Sequence, residues 1–176
     1  MIIAIAALTV LNTDIATSRE KGVLRRLKAT PLRPLTILTS KLIMVFLVTS
    51  LGMVLMIVTG KLALGLRFNG NPLDVTAAFV LSSFSFFAFG FVLASLMPNV
   101  RSAESVGFIL LFLMLFLSGV FVPFEVVPET VEQFAQVFPM THVTNLMRGL
   151  WMGNSLAEHL KEVAVLAGIL VAGVII

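Results

Sequence analysis

A chain of 176 residues that is 59% hydrophobic and only 12% charged is not an ordinary soluble domain, whose surface needs about a quarter of its residues charged. Lipid is the expected solvent for most of it. The net charge of +3 is gathered beside apolar stretches, a pattern that suits membrane orientation rather than nucleic-acid binding, and without cysteine the chain has neither disulfides nor thiolate metal sites.

Five apolar stretches follow in order. Met1–Leu11 makes about 16 Å of helix, roughly half a hydrocarbon core, so it reads as a stub or as a longer span entered partway. It lacks the basic flank and small-residue cleavage site of a signal peptide. The second stretch runs from Leu35 to Gly60, with Lys41 near its start and expected to snorkel to the interface. The third, Val75–Met97, ends at Pro98, and the fourth, Ser105–Val122, ends at Pro123. The fifth begins near Ser155 and reaches Ile176.

The third stretch carries a line of small residues, Ala78, Ser82, Gly90 and Ala94, interrupted by Phe86, as expected of a helix that packs closely on neighbours. Phe108, Phe112 and Phe116 make a stripe on the fourth, suited to lipid contact and packing. No charged residue occurs within Leu42–Gly60, Val75–Met97 or Ser105–Val122. Ion-coupled pumps use intramembrane carboxylates or histidines as relays, so any driving force is expected from outside the bilayer.

Connector charges orient the spans. Asn12–Lys41 holds seven cations, Arg19, Lys21, Arg25, Arg26, Lys28, Arg33 and Lys41, and Pro98–Glu104 adds Arg101. The alternate connectors hold only Lys61, Arg67, Arg148 and Lys161, so the positive-inside rule places Asn12–Lys41 in the cytosol.

Within that connector, Asp14–Ala29 reads as an amphipathic helix lying along the membrane surface and ending where Thr30 precedes Pro31. Ala16, Val23, Leu24 and Leu27 share one face, with Lys21, Arg25 and Lys28 nearly opposite. Glu20 falls inside the apolar arc, where a carboxylate suits a hydrogen-bonding protein partner; an interfacial helix with its Lys and Arg on phosphate head groups is the equal alternative.

On the outer side, Val127, Val131, Phe134 and Phe138 recur at helical spacing after Pro128 and before Pro139. Val143, Leu146, Met147, Leu150 and Trp151 form the apolar face of a second short helix. Gly153-Asn154 makes a turn, and Ser155 with Glu158 reads as a capping box for the last span. His159 beside Glu158 and Glu162 lacks metal-ligand spacing. No phosphate-binding Gly-x-x-x-x-Gly-Lys-Ser/Thr run is present, so this sequence has no means of hydrolysing ATP.

The run Arg19-Glu20-Lys21-Gly22-Val23-Leu24-Arg25-Arg26-Leu27-Lys28-Ala29-Thr30-Pro31-Leu32, with Lys41-Leu42 beyond it, resembles the cytosolic connector of type-2 ATP-binding-cassette (ABC) exporter permeases. Pro139-Met140-Thr141 and Arg148-Gly149-Leu150-Trp151 resemble the family's outer-face stretch, so the likeness covers essentially the whole chain. It implies an all-α, polytopic transmembrane helix bundle with a cytosolic amphipathic coupling helix and short outer re-entrant helices. The family has six spans. This chain looks like the second span onward, cut inside both the second and the sixth, a single transmembrane domain over 1–176.

The resemblance further implies that Arg19, Glu20, Lys21, Gly22, Leu24, Arg25 and Arg26 contact a separate nucleotide-binding ATPase subunit, with an elbow at Pro31 and Pro34. ATP and Mg would sit on that partner, with no cofactor in this chain. A second permease copy, the same or different, would complete the pathway. The implied cargo is a drug, lipid or lipid-linked glycan, and the implied setting is a bacterial or archaeal cytoplasmic membrane. Two readings of other classes stand beside it: an intramembrane lipid-modifying enzyme using His142, His159 and nearby glutamates, and an anchor or scaffold whose basic loop binds anionic lipid.

Overall fold

The computed structural model describes residues 1–20, 34–65, 70–119 and 133–175. Helix α1 (Ile2–Glu20) starts as α-helix, widens to a π-helix over Ala6–Leu11 and returns to α-helix over Asn12–Glu20. At 19 residues it is about 28 Å long. The expected stub and separate surface rod are therefore corrected as far as Glu20, because Asp14–Glu20 continues the first span without a break. The rest of the expected rod, from Lys21 to Ala29, lies outside the described residues.

The reason is that α1's polar residues find partners. Asn12 is wholly buried, and its Nδ2 donates to the carbonyls of Leu8 and Ala103 at 3.2 and 2.8 Å. Thr17 and Ser18 return their hydroxyls to the carbonyls of Thr13 and Asp14, both at 2.8 Å.

Helix α2 (Pro34–Leu64) has 31 residues, about 46 Å, and opens on a proline that needs no amide partner in the first turn. Helix α3 (Pro72–Leu96) is capped by Asn71, whose side chain accepts from the Leu73 amide at 3.0 Å. Helix α4 (Val100–Leu117) is capped by Asn99, which accepts from the Ser102 amide at 2.8 Å. Only Pro98 and Asn99 separate Met97, the C-cap of α3, from α4, so the two helices form a tight hairpin.

Helix α5 (Pro139–Met152) ends on Gly153, whose φ of 105° only glycine adopts freely, with the Asn154 amide donating back to the Gly149 carbonyl at 3.1 Å. Its apolar face, Val143, Leu146 and Leu150, is buried as expected. The preceding helix expected from Pro128 lies outside the described residues except for its last turn at 133–135. The capping box at Ser155 does not form. Ser155 Oγ donates to Glu158 Oε1 at 3.3 Å and a 3-10 turn, Leu156–His159, intervenes before α6 (Leu160–Ile175).

Helix α3 is the centre of the bundle. It packs most extensively on α1 and α6 and then on α5. All five residues of its small-residue line, Phe86 included, are buried. Ser85 Oγ donates to the Leu166 carbonyl of α6 at 2.8 Å. Two glycines set how closely the helices meet. A Cβ at Gly90 would lie 2.7 Å from the Ala7 carbonyl oxygen, and one at Gly107 of α4 would collide with the Leu8 carbonyl oxygen. Both carbonyls belong to the π turn of α1. The stripe Phe108, Phe112 and Phe116 is exposed, as lipid contact requires. Among the described residues the structure is helical without strands.

Candidate coupling site

The end of α1 that leads into the basic connector is fastened to the α3–α4 hairpin by two consecutive residues. Arg19 Nη1 donates to the carbonyls of Ala94 and Ser95 at 3.1 and 3.0 Å, and Nη2 donates to that of Met97 at 3.0 Å. These carbonyls lie at the C-terminal end of α3, which leaves them without intrahelical partners and carries partial negative charge. Glu20 Oε2 accepts from the Val100 amide at 3.0 Å, at the N-terminus of α4, where the partial charge is positive. Each side chain thus meets the helix end of opposite sign. Both residues are exposed, so each contact is worth about 0.3–1 kcal/mol. The arrangement fixes position more than it adds stability.

Glu20 therefore finds inside its own chain the hydrogen-bond donor that its place in the apolar arc called for. Its exposure still leaves it within reach of another protein. The same holds for Arg19.

Lys41 differs from its expected snorkelling role. Its Nζ lies 2.7 Å from Asp14 Oδ2 and donates to Ser18 Oγ at 2.7 Å. Asp14 and Ser18 are one turn apart on α1, so α2 is tied to α1 on one face. With the carboxylate half-exposed, the ion pair contributes no more than about 1 kcal/mol. Of the other site residues expected from sequence, Pro34 is the first residue of α2, whereas Lys21, Gly22, Leu24, Arg25, Arg26 and Pro31 lie outside the described residues.

Beside this junction, α2, α3 and α6 enclose an open apolar groove of about 430 Å³. Leu42, Phe87, Phe91 and Leu170 line it, with the hydroxyl-bearing Thr39 and Ser95 also in its wall. A smaller hollow of about 240 Å³, lined by Met53, Pro72 and Trp151, lies near the opposite end of α3.

At that opposite end the histidines are held locally. His142 is buried with Nε2 2.8 Å from the Gln136 carbonyl oxygen. His159 packs on Gly149, with Nδ1 3.7 Å from Glu162 Oε2. Arg148 is exposed, and Lys161 Nζ donates to Gln136 Oε1 at 3.3 Å.

Sequence reasoning missed Asn12, Asp14, Ser18 and Asn99 as parts of this junction. Asn99 could have been found, since an asparagine directly before a helix is a cap signal. The pairing of Asp14 with Lys41 crosses the connector, and no local spacing announces it.

A bundle in which α1 to α4 are each long and apolar enough to cross a bilayer, with a polar junction knotted at one end, defines a multi-span helical membrane domain. The model of the ABC-2 family transporter protein matches residues 1–176, and this chain belongs to that family as an integral membrane protein. It is also similar to the "probable multidrug ABC transporter permease YbhR" of Escherichia coli K12, 24% identical over 155 residues, covering 88% of this chain and 42% of the relative. The protein of the same name from Escherichia coli O157:H7 matches to the same extent. The chain thus spans about two fifths of the length of these curated relatives. No solved structure matches it.

Proposed function

We propose that this chain is the membrane-spanning permease portion of an ABC exporter, driven by a separate ATPase subunit that grips the basic connector on the cytosolic side. The observation that carries this reading is the root of the connector. Arg19 and Glu20 bind both helix ends of the α3–α4 hairpin, and Lys41 binds α1, so the two ends of the connector enter an anchored frame. A loop merely resting on lipid would need no such frame. Family membership supports the same reading.

Lys21, Gly22, Leu24, Arg25 and Arg26 are the residues that face the ATPase subunit, with Gly22 allowing close approach to the backbone. ATP and Mg are bound by that subunit, and this chain transports rather than catalyses. Two permease copies form the pathway in a bacterial or archaeal cytoplasmic membrane. The cargo is amphipathic, a drug, lipid or lipid-linked glycan. The uncharged spans and the word multidrug in the relative's name support it.

The test is Gly22→Trp in the full-length protein, co-expressed with its ATPase subunit. Loss of ATPase capture and of permease-stimulated ATP hydrolysis is the expected result. Unchanged capture and stimulation overturn the reading in favour of a lipid-binding loop.

A further inference from the structure

We infer that Arg19 and Glu20 are positioning residues that make α1 and the α3–α4 hairpin move as one body, so that force on the connector is delivered to α3. The inference rests on the connector being the motor's handle.

A force on the connector can leave through the end of α1 or the start of α2. The α2 exit is a poor path into the bundle. Only 11% of its most apolar 18-residue stretch is buried, and the polar tie described at its start, Lys41 to Asp14 and Ser18, leads back to α1. The polar ties described for both exits therefore converge on α1, while α2 also meets α3 where Phe46 stacks on Phe84 with ring centroids 5.5 Å apart. Besides that tie to α2, the described polar contacts from α1 to other spans at this end are Arg19 to the carbonyls of Ala94, Ser95 and Met97, Glu20 to the Val100 amide, and Asn12 to the Ala103 carbonyl. All of these land on the α3–α4 hairpin.

Contacts to backbone at both ends of a two-residue turn constrain the hairpin in translation and in rotation, which one contact would not do. Deeper in the bundle, Gly90 and Gly107 bring α3 and α4 against the π turn, so the same helices are also interlocked sterically. What moves with α1 then reaches α6 through α3, by the Ser85 hydrogen bond to Leu166 and the contact of Ala88 with Gly173.

The experiment uses the full-length protein with its ATPase subunit, spin-labelled at introduced cysteines; residues 1–176 contain none of their own. One pair, Thr13→Cys with Arg101→Cys, spans α1 and α4. The other, Thr36→Cys with Arg101→Cys, spans α2 and α4. With native Arg19 and Glu20, ATP should leave the first distance fixed, while the second reports how far α2 follows through its Lys41 tie. In the Arg19→Ala/Glu20→Ala background the first distance should also change, and ATP hydrolysis should couple to movement of Arg101 about tenfold less well, within the usual span of coupling between linked sites.

Arg19→Lys/Glu20→Gln keeps a donor and an acceptor at the same places and should restore the fixed first distance, which a general loss of packing would not permit. Where the double alanine variant does not fold, Glu20→Ala alone supplies the comparison. The relay is overturned if the first distance responds to ATP as strongly in the native background as in the variant. It is also overturned if the double variant loses capture of the ATPase subunit, since both side chains would then be motor contacts. If Gly22→Trp leaves capture intact and neither distance responds to ATP, the coupling reading fails and takes the relay with it.

Discussion

Helices α2 and α3 are both long, uncharged through their middles and apolar enough to cross a bilayer, yet they have opposite surroundings. The more hydrophobic of the two, α2, is 11% buried over its most apolar window, whereas α3 is 61% buried. Hydropathy therefore decides that each helix enters lipid but not which one becomes the core. In lipid the solvent is as apolar as leucine, so helices associate through close backbone approach and a few polar contacts. Helix α3 offers Ala78, Ser82, Ser85, Gly90 and Ala94 on its packed face. Helix α2 presents Met44, Leu47, Leu51, Leu55 and Met56 to its surroundings.

The contrast can be broken by substitution in each helix, read as stability in detergent by chemical denaturation of the folded chain. Phe86→Ala removes a fully buried ring from α3 and should cost about 3 kcal/mol, at the lower end for such truncations because lipid solvates the exposed ring well. A cost below the error of the measurement would mean that α3 is not the core. Gly107→Ala drives a methyl group against the Leu8 carbonyl and should cost about 1–3 kcal/mol, with α1 and α4 forced apart. A neutral result would deny that the π turn is clasped. Met56→Ala on the open face of α2 should stay within about 0.5 kcal/mol of the native protein. A loss as large as that of Phe86→Ala would show that α2 is packed against protein after all.

How much was legible in the sequence follows the same division. The helices α2, α3, α4 and α6 were readable because continuous apolar runs are a strong signal, and their ends were found within about five residues. Helix α4 begins at Val100 rather than Ser105, since Arg101 and Glu104 mark the edge of an apolar run but not of a helix that Asn99 caps. Helix α1 was divided wrongly at Leu11 because Asn12, Asp14 and Ser18 read as solvent-facing residues, whereas Ala103 and Lys41 supply their partners from other helices. At the junction, the chemistry of Arg19 and Glu20 stood out in the sequence. The groups they bind did not, because a helix-end carbonyl or amide leaves no trace in side-chain identity.

The π turn at Ala6–Leu11 has one more consequence. A π turn takes up one extra residue within a single turn, so the residues after it keep a register that a regular α-helix of the same sequence would advance by about 100° around the axis. Asn12, Asp14, Ser18, Arg19 and Glu20 all come after it, so this single insertion acts as the clock setting for the whole junction. Closing Ala6–Leu11 into regular α-helix without removing a residue would keep α1 just as apolar and nearly as long, yet would turn every one of its grips toward the wrong neighbour.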